Sequence, residues 1–307
     1  MWPDLPYAAW RDTLQTVHLW TQIVGKIRLT LTPWLNHSWH VPFYVTTRGI
    51  GTSPIPIGTE NLELDFDFIG HRLIVRTSRG EENGFPLEPQ PVADFHRKLF
   101  ERLNRLGVSV VIDDMPSEMT GVPPYSQDRA HASYDAEAVH RFWRALAQAD
   151  RVFKLFRSGF LGKASPVHFF WGSFDLAVTR FSGRTAPKHP GGVPGLPDAV
   201  ACEAYSHEEC SAGFWPGNDA FPKPAFYSYA YPEPKGYRDR AVTAGGYFDT
   251  TLGEFILPYD AVRTASDPDA LLLDFLSTTY AAAADCGGWD RAALECPLGV
   301  PGKVRPV

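Results

Sequence analysis

Residues 165–184, SPVHFFWGSFDLAVTRFSGR, constrain the fold of this chain more than any other stretch. Aromatic, β-branched and polar residues are packed most densely there. Strands favour such residues and send alternate side chains to opposite sides. The stretch therefore reads as two short strands bent near Gly172, with a turn at Gly183. From Asp175 onward, Leu176, Val178 and Arg180 fall on one face, and Asp175, Ala177, Thr179 and Phe181 on the other. Neither face is wholly apolar, which fits a strand covered on both sides. Asp175 and Arg180 then need partners, because an unpaired buried charge is strongly destabilising. His168 and Trp171 stand just upstream. They are either core residues or the edge of a ligand site that includes Asp175 and Arg180.

The other segments alternate between helical and strand periodicity. Residues 5–21 place Trp10, Leu14, Val17 and Thr21 on one helical stripe, with Pro6 in the first turn. Residues 23–31, IVGKIRLTL, shift to a period of two and predict a strand. Lys26, Arg28 and Thr30 would share one face of it. A polar turn at 36–40 precedes a strand at 41–47 and an irregular Gly- and Pro-rich loop at 49–58. Residues 62–78 predict a hairpin, with Glu63, Asp65 and Asp67 on a solvent face. Residues 92–106 form an amphipathic helix that stops at Gly107. A short buried strand is expected at 108–112, then a polar, Pro-rich connector at 113–132. A long helix at 135–157 leads into the central stretch. Beyond it come a loop at 185–197, an aromatic strand at 226–231, a late strand at 255–262 and a closing helix at 270–284.

These segments predict an α+β fold, with largely antiparallel sheets covered by helices. Two similar halves are expected, 1–125 and 126–296, each running helix, strands, helix and together forming one compact unit. IVGKIRLTL and FDLAVTRF would be equivalent strands.

Six segments carry a family resemblance: WRDTLQTVHLWTQIVGKIRL (10–29), TTRGIGTSPIPIG (46–58), residues 165–184, EAYSHE (203–208), GFWPG (213–217) and EFILPYDAVR (254–263). On these the chain resembles a bacterial family of soluble proteins catalogued as a domain of unknown function. The resemblance spans almost the whole chain and brings no activity with it.

Composition narrows the function classes. A chain of 307 residues can bury a core without disulfides, and 44% apolar residues argue against disorder. A net charge of −6 without a basic patch argues against nucleic acid as a partner. No apolar run approaches the ~20 residues of a membrane span. The start, MWPDLPYAAWRD, lacks the basic and apolar regions of a secretory leader. Four cysteines without a CxxC pair are expected as reduced thiols in a cytoplasm. Neither a serine elbow nor a P-loop occurs. Gly49-Ile50-Gly51 lacks the third glycine of a dinucleotide fingerprint. Nothing in the sequence speaks to oligomeric state.

Candidate chemistry gathers at VACEAYSHEE. Glu203, Tyr205 and His207 share a strand face, and Glu203 and His207 also share a helix face. Such a pair can act as general acid and base or supply two metal ligands, with His168 or Asp175 as the third. It can equally be a hydrogen-bonded pair that orders a loop. HEECS is not the HExxH zinc pattern, since Ser211 stands at the last position. The aromatic run at 213–234 is either pocket wall or packing. His18 and Gln22 share a helix face. With Lys26 and Arg28 they either hold an anion or form a solvated surface.

The expected function is binding of a small polar or anionic molecule in a cleft beside 165–184. His168, Asp175, Glu203 and His207 would be the acid/base set, or ligands of a divalent metal in a hydrolase or lyase. Lys26, Arg28 and Arg180 would hold the anion, and Trp171 and Tyr205 would line the cleft. The alternative is a non-catalytic binding or scaffold protein whose polar residues form a buried network.

Overall fold

A computed structural model describes residues 2–193 and 195–305. The chain opens with helix α1 (Tyr7–Leu31). Six short strands follow: β1 (Tyr44–Val45), β2 (Gly49–Gly51), β3 (Ile55–Ile57), β4 (Glu60–Asp67), β5 (Arg72–Thr77) and β6 (Glu82–Pro86). Helices α2 (Val92–Arg105) and α3 (Ala136–Ser158) flank a long connector. Then come β7 (His168–Phe170), β8 (Asp175–Thr185), α4 (Asp198–Ala204), β9 (His207–Trp215) and β10 (Ala225–Tyr231). The chain closes with β11 (Tyr247–Asp249), β12 (Glu254–Pro258), α5 (Tyr259–Arg263), α6 (Pro268–Cys286) and α7 (Arg291–Leu294).

The strands form two antiparallel sheets, and the fold is α+β. One runs β1-β2-β4-β5-β6, with β3 on β4; the other runs β11-β12-β10-β9-β8-β7. They meet edge to edge just before β1. Phe43 N donates to Phe169 O at 2.8 Å, and Phe169 N donates back to Phe43 O at 2.9 Å. Helix α3 packs on β8, and α6 packs on β9 and β10. Leu176, Val178, Phe214, Phe226 and Leu257 fill that side and belong to one apolar cluster that also includes Leu64, Phe66 and Phe95 of the first sheet and α2. Each such side chain contributes about 1.5–3 kcal/mol on full burial.

Local signals explain the well-read elements. Asp135 caps α3 by accepting from Ala138 N at 3.1 Å, and such a cap stabilises by about 1 kcal/mol. The 62–78 hairpin is β4–β5. Its acidic row, however, is not simply solvated. Asp67 is buried and accepts from Ile69 N, Gly70 N and Arg48, so it holds the turn. In the central stretch, β7 and β8 pair as read, with His168 opposite Ala177.

Five expectations fail. IVGKIRLTL is the end of the 25-residue helix α1, not a strand. Val17 and the run from Leu19 to Arg28 are all buried, so this later part of the helix shows no polar stripe for periodicity to detect. The equivalence with FDLAVTRF fails with it. Residues 108–112 form no ladder, and Val111 is 85% exposed. The loop at 49–58 contains β2 and β3. The late strand stops at Pro258, where α5 begins. None of the helices among the described residues is long and apolar enough to cross a membrane.

Candidate functional site

Opposed residues in an antiparallel sheet share a face, and this register builds the floor of a cleft. On β8 the face away from α3 carries Asp175, Ala177, Thr179 and Phe181. Opposite the last three, β9 carries Gly213, Ser211 and Glu209. Opposite those, β10 carries Tyr227, Tyr229 and Tyr231. The space above has a volume of about 1210 Å³. Its walls are His18 and Lys26 of α1, the connector around Ser117 and Glu118, Trp39, Trp215, and Ala201 and Ala204 of α4.

The floor is acidic and phenolic. Asp175 accepts from Ser173 Oγ at 2.5 Å and from Tyr227 OH. Gly213 makes the second bond possible, because a Cβ there would stand 2.4 Å from the Tyr227 hydroxyl. Burial raises the Asp175 carboxyl above its ordinary range, against the pull of these two donors. Glu254 is raised to about 7 by burial and then by the nearby charges of Asp175 and Asp249. Glu118 lies over Gly172 and stays open to solvent in the cleft, yet protein surrounds it on most sides. That burial, followed by Asp175, raises it to about 7. Glu209 is 6% exposed and is raised to about 8 by burial, with Lys163 opposing. Among the described residues, none of the carboxylates of Glu118, Glu209 and Glu254 has a hydrogen-bond or salt-bridge partner. Burial likewise raises Tyr205 to about 12, and its hydroxyl lies 3.2 Å from that of Tyr229.

Side chains of α1 hold the connector against this cleft. Gln22 Oε1 accepts from Ser117 N and from Tyr125 OH, each at 2.8 Å, and Gln22 Nε2 donates to Ser117 O at 2.8 Å. Lys26 Nζ pairs with Asp113 at 3.0 Å. His18 Nε2 lies 2.8 Å from Gly172 O. Burial lowers its imidazole to about 4, so it is neutral at pH 7.

The expected site residues therefore separate. Asp175, Tyr205, Lys26 and Trp171 line the cleft. The Trp171 indole is spoken for, donating to Val41 O at 2.9 Å. Arg180 points to the opposite face of the sheet. Its guanidinium lies 3.5 Å from the Phe156 ring centroid and 4.4 Å from that of Tyr280, and it donates to Phe156 O. Arg28 donates to His40 O at 2.7 Å beneath Tyr44. In a helix Lys26 and Arg28 are two positions apart and do not share a face. His168 is 1% exposed and covered by Trp39 and Tyr44; burial lowers it to about 3, and its Nδ1 has no partner among the described residues. Glu203 ends up on α4, accepting from Trp34 Nε1, while His207 begins β9 beside Ser206. They are on different elements and do not form a pair.

Sequence reasoning missed Glu118, Glu209, Glu254, Tyr227 and Tyr229. The alternation in FYSYAY and in EECSAGF carried the signal for two tyrosines and Glu209. Glu118 sits on irregular backbone and gave none. Among the described residues, no group of three His, Cys, Asp or Glu is arranged to hold a metal ion. The four cysteines are free.

Comparisons with curated proteins and with solved structures each return no match. The model of the Family of unknown function (DUF5996) matches residues 2–296, and the chain belongs to that family.

Proposed function

We propose that the cleft binds a small cationic molecule, such as an amine, over its aromatic and carboxylate floor. The supporting observation is the grouping of Glu118 and Glu254, without partners among the described residues, beside Asp175, with the buried Glu209 farther along the same floor. Carboxylates raised by mutual proximity and burial are relieved by an incoming cation, and the aromatic walls add cation–π attraction. Among the described residues Lys26 is the one lysine or arginine that lines the cleft, and it already pairs with Asp113. A second reading rests on the same carboxyls. Groups near neutrality suit general acid/base catalysis, so turnover of the bound cation is the enzyme form of this proposal.

The test is calorimetric titration with agmatine, spermidine and choline, and with citrate and phosphate as anionic controls. A cation is expected to bind more tightly as pH rises from 6 to 9, because Glu118, Glu209 and Glu254 then lose their protons. Glu118→Gln and Glu254→Gln should each weaken it about ten-fold, or about 1.4 kcal/mol. Binding of citrate or phosphate and of no cation overturns the reading.

A further inference from the structure

Among the described residues, one exposed basic group beside the cleft pairs with no carboxylate. Lys163 leaves the segment between α3 and β7, its carbonyl held by Phe181 N at 3.0 Å. Its side chain reaches Nζ to within 2.7 Å of His37 Nε2. It lies 4.8 Å from the Phe181 ring centroid and 5.2 Å from that of Trp39. His37, Trp39 and Phe181 all line the cleft. His37 Nδ1 is 2.8 Å from Ala204 O and so carries the donor hydrogen. That tautomer leaves Nε2 as an acceptor aimed at the lysine. Burial lowers the Lys163 ammonium below the ordinary lysine range, with Glu209 opposing. Burial lowers His37 as well, and Lys163 and His207 add to this, opposed by Ala204 O and Glu203.

We infer that Lys163 is a nucleophilic amine, positioned by His37 to form an imine with an aldehyde or ketone at the cleft wall. A lysine held among aromatic rings beside a proton acceptor is a recognised way of activating this nucleophile. Nζ attacks the carbonyl carbon, a C–N bond forms and the π pair moves to oxygen. One Nζ proton passes to His37 Nε2 and from there to that oxygen, giving a carbinolamine. The nitrogen lone pair then forms C=N as the C–O bond breaks. The remaining Nζ proton leaves with the hydroxyl as water. Carbonyl oxygen and two amine hydrogens are thus accounted for, without an oxidant or reductant. The inference does not rest on the cationic-ligand proposal, since it uses none of Glu118, Glu254 or Asp175.

The experiment traps the imine in the whole protein. Wild type is incubated at pH 7 with glycolaldehyde and cyanoborohydride, and each lysine is followed by peptide mass mapping. Lys163 should be alkylated about ten-fold faster than Lys188, Lys223 and Lys303, which are exposed as Lys163 is but have no histidine acceptor placed like His37. His37→Asn keeps a residue tolerant of the left-handed backbone at position 37, where φ is +56°. It should cut the Lys163 rate about ten-fold and leave the surface lysines unchanged. Circular dichroism checks that the variant is folded, and the comparison within wild type decides the matter if it is not. Equal rates at Lys163 and the surface lysines overturn the inference. So does an unchanged Lys163 rate in a folded H37N.

Discussion

Glu209 shows what a single carboxyl does when a strand face puts it between two rings. The register sets it between Phe181 and Tyr231, and burial raises it from 4.5 to about 8. The folded protein therefore prefers the proton, while the unfolded chain releases it near pH 4.5. The stabilisation is complete below pH 4.5 and is lost as pH rises to about 8. The gap corresponds to roughly 4–5 kcal/mol for a wholly desolvated group. Glu209→Gln cannot ionise, so it should match wild type near pH 4.5 and exceed it by about 2–4 kcal/mol at pH 9. Urea melts at pH 4.5, 7 and 9 measure this, and equal stability at pH 9 would mean the carboxyl is hydrated. Legibility at this scale followed alternation. Asp175 and Arg180 were correctly set on opposite faces of β8, but which face opened to solvent depended on where α3 packs. That is why Asp175 joined the cleft and Arg180 did not.

At the scale of elements, α1 is the instructive case. Its buried half carries apolar residues on all sides, so the chain of Ile23, Ile27, Leu29 and Leu31 looks like alternation although the backbone is helical. Only neighbours supplied later, Ser117, Asp113 and His40, reveal why Gln22, Lys26 and Arg28 are tolerated inside. Capping chemistry, by contrast, is local and was readable: Asp135 starts α3 where its side chain can accept a backbone N–H. Gly25 tests the packing of α1. A Cβ there would stand 2.3 Å from the Trp171 indole, whose N–H is tied to Val41 O. Alanine is the better helix former by about 1 kcal/mol, but overpacking costs about 1–3 kcal/mol. Gly25→Ala is therefore expected to melt at a lower temperature than wild type. A higher melting temperature would mean that the indole moves aside freely.

For the whole molecule, the sequence disclosed the fold class and the hairpins but not the assembly of the cleft. Its floor comes from β8, β9, β10 and the start of β12, whereas part of its wall comes from a connector more than a hundred residues earlier than Glu254. No periodicity links such segments. Their union depends on side chains of α1, chiefly Gln22 and Lys26. Removing the Gln22 amide should leave both sheets intact and free the connector. Gln22→Ala is thus expected to raise amide hydrogen exchange selectively in 113–122, with β8 and β9 remaining as slow as in wild type. Uniform acceleration would mean instead that the whole fold has been weakened. The clip between α1 and the connector also has a kinetic meaning. Gln22 holds Ser117, the residue before Glu118, so for the proposed cation the opening of that latch is expected to set how fast the ligand arrives and leaves. Residence time would then be tuned from a side chain buried behind the cleft wall.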